Sequence, residues 1–122
     1  MSHDEKALID LSRMMDRFDH DWDLLREVMS VFASEAPERR RRITEALDGG
    51  DMEQLVRLAH SLKGVCGTIH AEPLRELSLR VEMAARAGDA TEVGEITPHL
   101  LAMLGNLADY LETVAASQTP LA

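Results

Sequence analysis

At 122 residues the chain is sized for one domain, spanning 1–122, with a core that needs no cross-links. Hydrophobic residues make up 45% of it and aromatics only 3%, so Leu, Val, Ile, Ala and Met must build the interior, as in many helical bundles. A formal charge of −9 argues against nucleic acid as a partner, and no apolar run approaches membrane-spanning length.

Ala7 or Leu8, Leu11, Met14 or Met15 and Phe18 follow a helical period. They predict a short amphipathic helix from about Asp4 to Arg17, lying across the rest as a cover. After a polar break at Asp19–Asp21, a second helix to about Glu35 presents Trp22, Leu25, Val28, Met29 and Phe32. Pro37 reads as the start of a third helix, because proline suits a first helical turn. That helix carries Ile43, Ala46 and Leu47 on one side and stops at Asp48-Gly49-Gly50. The basic run Arg39 to Arg42 reads as a solvated face balanced by carboxylates, or as a steering patch for an acidic partner.

Asp51 followed by Gln54 has the form of an N-cap with a capping-box partner, and Leu55, Ala59, Leu62, Cys66 and Ile69 then form one apolar seam. Near Ala71 the chain should reverse, since Pro73 belongs in the first turn of a new helix. Leu74, Leu77, Val81 and Ala84 make the next seam, ending at Gly88 as a C-cap. The final segment shows Val93, Ile96, Leu100, Leu104, Leu107, Leu111 and Val114, reads as the longest helix, and should be kinked or split by Pro98. From Ser117 fraying is expected, so that the bundle covers about 21–116 and residues 117–122 form a tail. The fold expected is all-α: an up-and-down antiparallel four-helix bundle with an additional N-terminal helix.

On the central helix, the residues sharing a face with His60 are Lys63, Gly64 and Gly67, with Val56 and Arg57 one turn earlier. Each glycine costs a helix roughly 1 kcal/mol relative to alanine, so the pair points to something approaching the backbone. An imidazole beside an ammonium group and bare backbone is suited to a small anion with another surface docked over it. If the helices on either side of Ala71 form an antiparallel hairpin, eleven residues each way sets His60 beside Glu82.

The strings AHSLKG and VCGTIHA, with LRVEMAARAGD further on, resemble the histidine-containing phosphotransfer (HPt) domain family of multistep phosphorelays. The likeness runs from about Asp21 to the last helix, and its H-x-L-K-G core is fairly specific when it lies in a capped amphipathic helix. The resemblance implies that His60 accepts phosphate from an aspartyl phosphate of a response-regulator receiver domain, in some cases within a hybrid histidine kinase, and passes it to another. Lys63 would stabilise the phosphoryl charge. Gly64, Gly67, Val56 and Arg57 would belong to the receiver docking surface, although Val56 could equally pack at the seam edge. Family members often place Gln or Glu on the neighbouring helix against the other ring nitrogen, which gives Glu82 an orienting role; the plainer alternatives are a surface carboxylate or a partner of Lys63.

A Walker-type loop and a nucleotide lid are missing from the sequence, so autophosphorylation from ATP is not expected. No cofactor is expected either, Mg²⁺ being supplied by the partner receiver. His3, His20, His70 and His99 have no metal-ligand spacing, and Cys66 sits on a buried seam without a partner. With an N-terminus that lacks signal-peptide form, the chain is expected to be cytoplasmic and monomeric. Two rival readings remain: a helical interaction module that binds a regulator without chemistry, and the phosphoacceptor domain of a chemotaxis-type histidine kinase.

Overall fold

A computed structural model describes residues 8–117, so the readings made for Asp4–Ala7 and for the tail at 118–122 lie outside the described residues. Five helices follow one another: α1 (Leu11–Arg17), α2 (Trp22–Asp48), α3 (Met52–Thr68), α4 (Glu72–Arg86) and α5 (Ala90–Ala115). Helix α2 lies against α3 and α5, α3 packs mainly on α4, and α4 on α5, which closes the four long helices into a square bundle. Their seams meet in a core of aliphatic side chains, in which Leu62, Leu74, Leu100, Leu104 and Leu107 are completely buried.

Each reversal takes three residues, at 49–51, 69–71 and 87–89. At the first and last, a glycine in the left-handed region (Gly50 φ 66, Gly88 φ 68) lets two amides turn back onto the helix just ended: Gly50 N to Leu47 O at 3.2 Å with Asp51 N to Ala46 O at 2.9 Å, and Gly88 N to Ala85 O with Asp89 N to Ala84 O, both 3.0 Å. The aspartate that follows then caps the next helix, Asp51 accepting from Gln54 N and Asp89 from Glu92 N, each at 3.0 Å. Only half of the expected capping box forms. Asp51 N is already bonded to Ala46, and the Gln54 carbonyl accepts from Arg57 at 2.9 Å.

The middle reversal uses His70 (φ 58) where the other two use glycine. The pattern of hydrogen bonds is the same, with His70 N to Gly67 O at 3.4 Å and Ala71 N to Cys66 O at 2.9 Å. Its carbonyl also accepts from Asp10 N at 3.1 Å, and Leu8 and Ile9 beside it are buried. The N-terminal segment is thereby pinned to the α3–α4 turn, and the described cover helix starts only at Leu11, capped by Asp10 on Arg13 N at 3.0 Å.

Three expectations are corrected. Helices 21–35 and 37–47 are one helix with the exposed Pro37 inside it; the buried set Leu25, Met29, Phe32, Ala36, Ile43 and Ala46 keeps its phase through the proline, and that burial outweighs one lost backbone bond. Likewise α5 is not split at Pro98, since Val93, Ile96, Leu100 and Leu104 form one continuous buried stripe across it. With 27 residues against 26, α2 and not the final helix is the longest.

Candidate functional site

Because α3 and α4 pack as a hairpin, residues equally distant from Ala71 meet. His60 Nδ1 lies 3.1 Å from Glu82 Oε2, as counting from the turn predicts. The His60 side chain keeps 63% of its surface exposed, whereas that of Glu82 keeps 6%. Glu82 is on the inner edge of α4, next to buried Val81 and Ala85, and reaches up to the ring from below.

A buried carboxylate needs compensating charge. Lys63 Nζ, one turn beyond His60, is 2.9 Å from Glu82 Oε1, and Arg86, one turn beyond Glu82, places Nη2 at 2.9 Å and Nε at 3.3 Å from Oε2. Burial by itself would raise the pKa, yet hydrogen bonds from Lys63, Arg86 and His60 outweigh it and hold Glu82 down from an ordinary 4.5 to about 2. Glu82 is therefore ionised at neutral pH and can only accept. Facing it, Nδ1 of a neutral imidazole carries the hydrogen, which leaves the Nε2 lone pair at the exposed edge.

Among the residues expected around His60, Gly64 is exposed, and a Cβ added there would meet nothing within 4 Å. Gly67 differs. A Cβ there would touch the Arg75 side chain at 3.6 Å, so that position is a notch over which α4 lays Arg75, and not open backbone. Val56 is half-buried against the core and also lines a groove of about 630 Å³ with Met52, Glu53, Arg57 and the end of α4 at Ala85–Gly88. Val56 thus packs at the seam edge and also borders a surface groove. Arg57 is exposed and tethered to Gln54.

The basic run is mostly exposed and balanced by carboxylates, as the sequence suggests. Arg41 and Arg42 pair with Glu38, and Arg41 also with Glu45, on the surface. Arg39, by contrast, is only 22% exposed, pairs with Glu35 and reaches Ser61 Oγ at 3.4 Å, while Arg40 crosses to α5 and donates to Leu101 O at 3.2 Å over Gly105. Half the run ties helices together. Arg86 is the residue that sequence reasoning missed at the site; its signal was the four-residue step from Glu82 along one helix face.

Among the described residues no group of three His, Cys, Asp or Glu side chains could hold a metal ion, and no helix is long and apolar enough to cross a membrane. Burial pushes the Cys66 thiol up to about 12, against a weak opposing pull from Arg39.

An exposed helical histidine backed by a buried carboxylate, on a bundle of four antiparallel helices, defines a class of small all-α module that displays an imidazole on its side. The family model that matches residues 27–115 is the Hpt domain. The chain belongs to the Hpt domain family, whose members carry phosphotransfer in two-component phosphorelays and interact with receiver domains and hybrid kinases. Over 93 residues it is 32% identical to the signal transduction histidine-protein kinase BarA of Shigella flexneri and to that of Escherichia coli K12, in each case covering 76% of this chain. It spans about a tenth of the length of those relatives, 10% in each case. The crystal structure of histidine-containing phosphotransfer protein B (HptB) from Pseudomonas aeruginosa PAO1 has the same fold, with a TM-score of 0.72 at 22% identity over 88% of this chain and 90% of that one.

Proposed function

We propose that His60 is the phosphoacceptor, taking a phosphoryl group from the aspartyl phosphate of a receiver domain and giving it to another. In the forward step the Nε2 lone pair attacks phosphorus, the P–O bond to the receiver's carboxylate breaks, and a P–N bond to the ring forms; donation is the reverse. The observation that carries this reading is the 3.1 Å contact between Nδ1 and a carboxylate that remains charged, on a ring that is 63% exposed.

Glu82 serves this step by holding the tautomer with Nε2 free and by stabilising positive charge on the ring as the P–N bond forms. Lys63 neutralises part of the phosphoryl charge from one turn away. Exposed Gly64 admits the receiver's acidic site, which brings the Mg²⁺, while Val56 and Arg57 supply apolar and cationic contacts beside it. Arg75 fills the notch at Gly67 and belongs to the same docking face.

Mixing the protein with a phosphorylated receiver domain tests the proposal. Label should pass to this chain in an acid-labile, base-stable form, and His60→Gln should receive none. Equal labelling of that variant would remove His60 from the reaction. A chain that binds the receiver without being labelled would be an interaction module only.

A further inference from the structure

We propose that Arg86 is a second cation for the phosphoryl group on His60, held beside the ring by Glu82 until the group arrives, so that carboxylate and phosphoryl oxygens compete for Lys63 and Arg86. This rests on His60 being the phosphoacceptor.

One oxygen, Glu82 Oε2, takes both His60 Nδ1 at 3.1 Å and Arg86 Nη2 at 2.9 Å, so the guanidinium and the imidazole share one acceptor. Lys63 sits on the other oxygen at 2.9 Å. Two cations thus share one negative charge, leaving a local excess of positive charge on the Glu82 side of the ring. Arg86 is suited to move. Its side chain is 60% exposed, and of the five N–H donors of a guanidinium only those on Nε and Nη2 face Glu82.

A phosphoryl group on Nε2 brings close to two negative charges into this cluster, more than Glu82 offers. Arg86 and Lys63 are then drawn outward, toward the stronger anion, while Glu82 keeps the ring N–H. The contest has a chemical consequence. In hydrolysis, water adds to phosphorus, the P–N electron pair returns to Nε2 and inorganic phosphate leaves through a loose transition state in which charge on the equatorial oxygens is relieved. Cations that hold those oxygens beforehand slow this loss. A carboxylate at Nδ1 favours the extra ring proton that makes imidazole a better leaving group, and it also draws the cations away. Charge at position 82 therefore shortens the life of the phosphohistidine, and charge at 86 lengthens it.

The full chain, phosphorylated with phosphoramidate so that ammonia leaves and the P–N bond to His60 forms, allows the decay to be followed by ³¹P NMR without any partner. Arg86→Gln should lose phosphate about three- to tenfold faster than wild type, a contact to an ionised group being worth on the order of 1 kcal/mol at a half-exposed site. Arg86→Lys should restore most of the lifetime, and Glu82→Gln, which can still accept from Nδ1, should extend it. The double variant Glu82→Gln/Arg86→Gln should decay faster than Glu82→Gln alone. If Arg86→Gln decays at the wild-type rate, or if the double variant matches Glu82→Gln, then Arg86 does not hold the phosphoryl group. Should wild type take no phosphate on His60, the underlying reading falls and this inference with it; normal phosphorylation with an unaltered Arg86→Gln lifetime removes this inference alone.

Discussion

Glu82 is nearly out of water and yet charged, because three donors on two helices converge on its two oxygens. Its stabilising effect depends on pH with a definite sign. The folded-state value is depressed from 4.5 to about 2, so the contribution is complete above about 4.5 and is lost as pH falls from there through 2. Glu82→Gln should lower stability at neutral pH by about 1–2 kcal/mol, less than for a fully buried pair because the partners Arg86 and His60 stay largely exposed. The gap in melting temperature between the two proteins should narrow as pH is lowered from 5 to 2; a gap that widens would show that the carboxylate is not held ionised. Cys66, with its thiol pushed up to about 12, should react with a thiol reagent only as fast as the bundle unfolds. At this scale the His60–Glu82 pair was legible by counting outward from Ala71, since a three-residue reversal leaves little freedom of register. Arg86 could have been found by its four-residue step from Glu82, whereas the ties that Arg39 and Arg40 make to other helices could not. Long cationic side chains reach several ångströms from their own backbone position, and which neighbour they find depends on how helices pack and not on local spacing.

The two prolines mislead when read locally. Pro37 suits a first helical turn, but Ala36 before it is a poor N-cap, and the apolar step from Phe32 and Ala36 to Ile43 and Ala46 is in phase through it where a true break would have reset that phase. Packing against α5 decided the outcome. Pro37→Ala restores an amide to a solvent-facing turn that is already helical and should stabilise the protein by about 1–2 kcal/mol, visible as a rise of several degrees in the thermal midpoint. A midpoint that falls would mean the proline ring contributes packing that its exposure does not suggest. In α3, helix propensity and the proposed docking role oppose one another at Gly64. With nothing within 4 Å of the added Cβ, Gly64→Ala should stabilise the helix by about 0.5–1 kcal/mol while slowing phosphoryl transfer from a receiver domain. Stabilisation without any change in transfer rate would free Gly64 from the docking surface.

Across the whole molecule, four seams share one aliphatic core, and that much could be read from periodicity because each apolar stripe demanded a partner. The antiparallel run of the helices could be read too, but not which of them close the square, since reading Pro37 as a helix start divided α2 in two. Leu104 is completely buried where α5 faces the core, and Leu104→Ala should cost about 2–5 kcal/mol, measured as a lower urea midpoint with no change of slope. Against a formal charge of −9 for the chain, the ring shares Glu82 with Lys63 and Arg86, so the bundle sets a small cationic cluster on an acidic molecule. What this assembly amounts to chemically is one imidazole with its inner nitrogen occupied and its outer nitrogen available. The most direct test is to phosphorylate the ¹⁵N-histidine-labelled protein from a receiver domain and identify the substituted nitrogen by NMR. Phosphorus on Nε2 of His60, with Nδ1 still carrying its hydrogen toward Glu82, is the predicted result; phosphorus on Nδ1, or on His20, His70 or His99, would contradict it.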